Sequence, residues 1–245
     1  MSVNSGLDIH NIGSTFWFVL PYQRNQDVVS VKGKILGAKQ TIAVVDGWHN
    51  EKYLYGNAEG KAVAELVADY FPKALLSVGL AEWEKTAQSV ADQTQRVVLN
   101  KYPKHVSCVA SFLFRNKNYS VLCSIGTIHV YVKRKNRWVK PQGIHNNWLD
   151  WRTHESGSST FLGRGELASS KQYSHRMDYI TVSNSESVLV MTDGVDNLIN
   201  QKRVNALLKD IKRPEEVILA LFQEIVRMKK HKQRDDISVL VSGGI

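Results

Sequence analysis

Two periods of apolar and polar positions run along this chain, and the switches between them mark out its elements. Runs rich in β-branched and aromatic residues at 15–20 and 40–45 predict strands. From 58 to 71 the spacing turns helical. Ala62, Val63, Leu66, Val67, Tyr70 and Phe71 fall on one stripe, and Pro72 is expected to stop the helix. A second helix is expected over 82–100, with Trp83, Ala87, Val90, Thr94 and Val97 along one face. Residues 106–114, 119–125 and 129–132 are short β-like runs separated by turn residues, the pattern of a meander. The basic stretch Lys133-Arg134-Lys135-Asn136-Arg137 reads as a hairpin tip. Residues 141–172 are polar and aperiodic, a long excursion expected to be a flap or substrate-facing loop. A strand at 187–192 ends on Asp193-Gly194. An amphipathic helix at 214–228 turns Val217, Ile218, Leu221, Phe222 and Ile225 inward, and a strand at 237–242 follows Asp235-Asp236.

Parallel strand–helix alternation is absent from this order. Helices segregated from antiparallel sheets fit it better, which gives an α+β class. Without internal repeats or a linker-like tract, residues 1–245 are expected to form one domain.

Composition narrows the picture. With 43% hydrophobic residues the chain can bury a full core. Its two cysteines, Cys108 and Cys123, lie in apolar strand-like runs and read as buried thiols rather than a disulfide framework. Residues 1–11 carry no basic-then-apolar leader and no run approaches membrane-spanning length, so a cytoplasmic location and no membrane partner are expected. The net charge of +9 is uneven: residues 115–140 hold seven Lys/Arg and no acid. A solvated basic face explains this. A nucleic-acid-binding module would rest on charge alone, with no recognised motif, so nucleic acid is not an expected partner.

Three aspartates share one context. Asp46 follows the apolar run at 41–45, Asp193 follows 188–192, and Asp235 stands before 237–241. Acids at the ends of buried strands project from rigid backbone. If they converge they repel one another unless a cation sits among them, and an oxygen-only set suits Mg²⁺ or Mn²⁺ rather than Zn²⁺. Taken singly, each Asp-Gly is ordinary turn chemistry. The set of three, in separated parts of the chain, favours a site.

In this order Asn25-Gln26-Asp27, Val44-Val45-Asp46-Gly47, Gly126 within Cys123-Ser124-Ile125-Gly126-Thr127, Thr192-Asp193-Gly194 and Asp235-Asp236-Ile237-Ser238-Val239 resemble the motif series of the type-2C, metal-dependent Ser/Thr phosphatases. The resemblance spans roughly residues 15–241. It implies a four-layer αββα sandwich, two antiparallel sheets flanked by helices, with a two-metal site at one end. It also implies that Asp46 bridges two Mn²⁺ or Mg²⁺ ions, that the Gly47 carbonyl binds the second ion, and that Asp193 and Asp235 hold the first. Asp27 would orient the reacting water. The implied reaction is direct hydrolysis of phosphoserine or phosphothreonine by a metal-activated water, without a phosphoenzyme. The implied partner is a phosphorylated protein, and a monomer is the expected state.

The chain departs from that pattern in places. Asp46-Gly47-Trp48-His49-Asn50 lacks the usual glycine pair, and His49 is the candidate general acid, one place later than the histidine of many relatives. Thr127 and Asn197 stand where acids of an additional metal site are usual, and Gln26 replaces the acid before Asp27. Tyr22 occupies the position of the phosphate-binding arginine. Arg24, two places on and on the same face of a strand, is the candidate substitute. These losses define the alternative, a catalytically impaired pseudophosphatase that binds phosphorylated or regulatory partners.

Overall fold

The computed structural model describes residues 8–22, 25–33, 40–49, 57–78, 83–102, 106–116, 119–126, 128–144, 162–163, 177–232 and 235–244. In chain order the elements are β1 (His10–Ile12), β2 (Thr15–Leu20), β3 (Val28–Lys32), β4 (Gln40–His49), α1 (Asn57–Ser77) and α2 (Trp83–Lys101). There follow β5 (Val106–Arg115), β6 (Ser120–Ile125), β7 (His129–Arg134), β8 (Arg137–Val139), β9 (Leu162–Gly163) and β10 (Asp178–Val182). The chain closes with β11 (Val188–Met191), a 3-10 turn over Asp193–Asn197, α3 (Gln201–Leu208), α4 (Pro214–Lys232) and β12 (Ile237–Ser242). The fold class is α+β, as the segregation of helices and strands implied.

The strands make two antiparallel sheets. One runs β1-β2-β12-β11-β7-β8, the other β10-β6-β5-β4-β3 with β9 paired to β5. Side chains alternate across each strand, so one strand feeds two cores. On β4, Ile42 and Val44 face the second sheet and meet Val130, Val188, Val190 and Leu240. Their neighbours Ala43 and Val45 face outward against Val63, Val67 and Phe71 of α1 and Val90 of α2. The other sheet repeats the arrangement, with Leu189, Met191, Val239 and Val241 packed under Val204 of α3 and Val217, Leu221 and Ile225 of α4. The result is helices, sheet, sheet, helices. Strands buried on both faces read as continuous apolar runs, which is why β5 and β12 lack alternation in sequence.

Two details correct the sequence expectation. Pro72 does not end α1; the helix runs through it to Ser77. The proline removes one backbone bond at a cost of about 3 kcal/mol. The extra turn buries Leu75 and Leu76, each worth about 1.5–3 kcal/mol, which offsets the loss. Nor does β4 end at Val45. It continues through Asp46 and Gly47 to His49, pairing with β5 down to Val106.

The basic hairpin is where the sequence placed it. Lys135 and Asn136 join β7 to β8 with φ of 47° and 61°, the left-handed pair that a two-residue hairpin turn requires. Of the long excursion, 141–144 and the β9 pair are described, and β9 lies against Ser107 and Cys108 of β5; its reading as a flap lies outside the described residues. Both cysteines are buried free thiols, and burial raises the pKa of each. No described helix is long and apolar enough to cross a membrane.

Candidate active site

The antiparallel registers carry the scattered acids to one end of the sandwich. The end of β2 at Leu20 meets the start of β12 at Ile237, which puts Asp235 and Asp236 beside the segment leaving β2. Met191, at the end of β11, pairs with Val239 on the same strand, so Asp193 emerges next to them. In the other sheet the start of β3 at Val28 lies opposite Val45, and Asp27 therefore sits beside Asp46.

Asp236 builds the frame. It is buried, and its Oδ1 accepts from the backbone N–H of Tyr22 at 2.6 Å and of Asn25 at 3.2 Å, while Oδ2 accepts from the N–H of Gln26. One carboxylate thereby fixes the crossing from β2 to β3 that delivers Asp27, with Asn25 held at φ 49°. Thr192 completes the frame. Its Oγ1 donates to Asp27 Oδ2 at 2.9 Å and accepts from the N–H of Ser238 at 2.9 Å. A cation also touches this loop: Lys61 Nζ, from α1, donates to Asn25 Oδ1 at 3.3 Å and to the Asp27 carbonyl at 3.2 Å.

The electrostatics are those of crowded acids. Burial raises the Asp27 pKa to about 8, helped by the charges of Asp236 and Asp235 and opposed by the nearby hydroxyls of Ser238 and Thr192. Asp46 keeps some exposed surface, yet the protein packed around it raises its pKa well above the usual carboxylate range. The charges of Asp27, Asp193 and Asp235 push the same way. Asp193 also stands within hydrogen-bonding reach of Asp46, and that contact raises the Asp46 pKa further.

Such a cluster asks for a cation. The donors are all oxygen, and Asp27 Oδ1, on a side chain 2% exposed, has no hydrogen-bond partner. Both features suit a hard divalent ion. Among the described residues no three carboxylate, imidazole or thiol side chains are drawn together tightly enough to enclose one. The fit is therefore one of donor chemistry and charge.

The two glycines of the motifs have a packing reason. A Cβ on Gly194 would lie 1.9 Å from the backbone oxygen of Asp236, and one on Gly47 would lie 2.3 Å from that of Gly60. Backbone meets backbone at both places, so neither Asp-Gly is a simple turn. Gly194→Ala should destabilise the fold by about 3 kcal/mol in urea unfolding, because the β12 entrance must shift to admit the methyl. A loss below about 1 kcal/mol would contradict this close approach.

The structure thus brings together Asp27, Asp46, Asp193 and Asp235. Gly47 stands in β4 opposite Cys108, and His49 closes that strand opposite Val106. Tyr22 is 44% exposed, Asn197 ends the 3-10 turn that starts at Asp193, and Arg24 and Thr127 lie outside the described residues. Sequence reasoning missed Asp236, Thr192 and Lys61. The doubled Asp235-Asp236, where one acid suffices for a ligand, was the available signal for the first.

No family model matches the sequence, and no curated protein matches it. Solved structures do. The serine/threonine phosphatase from Staphylococcus aureus superposes with a TM-score of 0.70 at 12% identity, over 96% of this chain and 96% of that one. That of S. agalactiae gives 0.66 at 13% identity, over 94% and 100% of the two chains. The Mycobacterium tuberculosis serine/threonine phosphatase PstP gives 0.60 at 15% identity, over 94% and 98%. At such identities the likeness is one of fold, and over nearly its whole length this chain has the fold of the type-2C Ser/Thr phosphatases.

Proposed function

We propose that this protein hydrolyses phosphoserine and phosphothreonine in other proteins, using two Mn²⁺ or Mg²⁺ ions. The observation that carries the reading is the convergence of Asp27, Asp46, Asp193 and Asp235, one of them with an unfilled acceptor atom, at one end of a fold that Ser/Thr phosphatases share. Asp46, the Gly47 carbonyl, Asp193 and Asp235 would hold the ions. When bound, they supply an activated water and positive charge for the phosphoryl oxygens.

The chain's own groups do the rest. Asp27 Oδ1 receives a hydrogen bond from the attacking water, and Thr192, fixed on Oδ2, keeps the carboxylate turned toward it. Asp236 holds the loop that carries Asp27, so the water's angle of approach is set by backbone rather than by a free rotamer. His49 would give its proton to the leaving seryl or threonyl oxygen as the P–O bond breaks. Cys108, buried with its pKa raised, is excluded as a nucleophile, which agrees with direct attack by water.

Purified protein should release phosphate from phosphoserine or phosphothreonine peptides and from a small aryl phosphate in Mn²⁺. Chelation should stop the release, and Asp193→Ala should reduce it by at least about 100-fold. Phosphopeptide binding without release under any metal condition would overturn hydrolysis and leave a binding protein.

A further inference from the structure

The substrate of the proposed reaction is itself an anion, and the site is built of acids. With Asp236, five carboxylates outweigh the charge that two divalent ions would bring, so an incoming phosphoryl dianion brings charge that the chain must meet with a cation of its own. Tyr22, at the position where an arginine would serve, offers a hydroxyl in place of a cation and is turned to solvent.

Lys61 is placed to meet that need. It is half-buried near the start of α1, and both its contacts are to neutral oxygens, the Asn25 side chain and the Asp27 carbonyl. At 3.3 and 3.2 Å these bonds are long, and an ammonium has three donors, so one is unspent. Lys32 and Lys73 on the same side of the fold are different: both are ion-paired to Asp69, at 2.9 and 2.7 Å. Among the described residues no carboxylate lies in ion-pair contact with Lys61. Its mount is rigid as well. Gly60, the residue before it, is wedged between the Gly47 backbone and the Gln26 side chain, which ties the Lys61 Cα to the strand that carries Asp46.

We infer that Lys61, held against the loop that carries Asp27, is a residue that receives the substrate's phosphoryl oxygens, exchanging its weak bonds to neutral oxygens for charge-assisted ones. The inference rests on the phosphatase reading of the site. It makes Lys61 a substrate-binding residue for phosphate monoesters.

Calorimetric binding of inorganic phosphate to the Mg²⁺-loaded chain tests this without requiring turnover. Aryl phosphate kinetics in the same samples give kcat and KM. Lys61→Met should weaken phosphate binding and raise KM about tenfold or more, with kcat changed only a few-fold and Mg²⁺ affinity unchanged. Lys61→Arg should restore most of the loss. Unaltered phosphate binding and KM in Lys61→Met would overturn the inference. A parallel fall in Mg²⁺ affinity would do so too, since it would mean that Lys61 only props the Asp27 loop. If the natural chain releases no phosphate from esters yet Lys61→Met still loses phosphate binding, the hydrolytic reading fails and the role of Lys61 stands. If Lys61→Met hydrolyses with a normal KM, hydrolysis stands and the role of Lys61 fails. A natural chain that neither binds phosphate nor hydrolyses esters sinks both.

Discussion

Metal-free protein carrying Asp46→Asn should melt higher than the natural chain at pH 8, by ~5 °C or more. Asp46 is surrounded by the charges of Asp27, Asp193 and Asp235, and burial adds to their repulsion. Asparagine has nearly the same shape, carries no charge, and can donate to Asp193. The pH dependence follows from Asp27, whose pKa is about 8 in the fold against 3.8 for the free side chain. Between those values the folded state binds a proton that the unfolded chain has lost. Stability is therefore fully present below about pH 4 and falls as pH rises toward 8. The metal-free natural chain should lose Tm across this window. Asp46→Asn should lose less, because one source of repulsion is gone, and saturating Mn²⁺ should reverse the decline in the natural chain alone. Equal melting temperatures and identical pH slopes would mean that the acids do not strain the fold.

The largest loss of stability is expected at the opposite end of the sandwich. Arg115 is fully buried at the end of β5, opposite Gln40, six positions from the Asp46 pairing. Its Nε donates to Ser242 Oγ, Nη1 to Ser120 Oγ, and Nη2 to the carbonyls of Glu186 and Ser242, at 3.1–3.3 Å. No carboxylate among the described residues balances it, and burial lowers its pKa to about 10, which still leaves it charged at neutral pH. The guanidinium acts as a clasp: Ser120 belongs to one sheet, Ser242 to the other. Arg115→Ala would remove four hydrogen bonds and open a cavity between the sheets, and should cost about 3–5 kcal/mol. In Tm that is roughly 10 °C. Arg115→Lys keeps the charge without the fork and should recover only part of it. Mn²⁺ affinity of the folded fraction should be unchanged, since the clasp and the acids stand at opposite strand ends. A urea-unfolding loss under about 1 kcal/mol would refute the clasp.

What could be read from the residues follows burial closely. Strands β2 and β12 have the same limits in structure as in the hydrophobic pattern, because such apolar runs cannot sit anywhere but between two layers. Strands β3 and β10 went unread because they are the edges of their sheet. β3 is only half-buried along its length, and β10 is interrupted by polar positions. Helix α3 is eight residues long, too short for periodicity to stand out, although Asn200 caps it through the N–H of Arg203. Pro72 misled because local propensity was outweighed by the burial of Leu75 and Leu76. The acids were legible as a set, since each abuts an apolar strand. Their frame was not, because Asp236 finds Tyr22 and Gln26 across more than two hundred residues, and Lys61 reaches Asn25 only where α1 crosses β4 at two glycines.

Asp27, Asp46, Asp193 and Asp235 are proposed as a divalent-metal site serving phosphoester hydrolysis. Calorimetric titration of Mn²⁺ into the natural chain and into Asp46→Ala, with aryl phosphate hydrolysis assayed in the same samples, tests it most directly. Saturable binding and metal-dependent turnover are expected in the natural chain, with both lost in Asp46→Ala. Absence of Mn²⁺ binding by the natural chain would contradict it, leaving a phosphatase fold whose acids serve some other end.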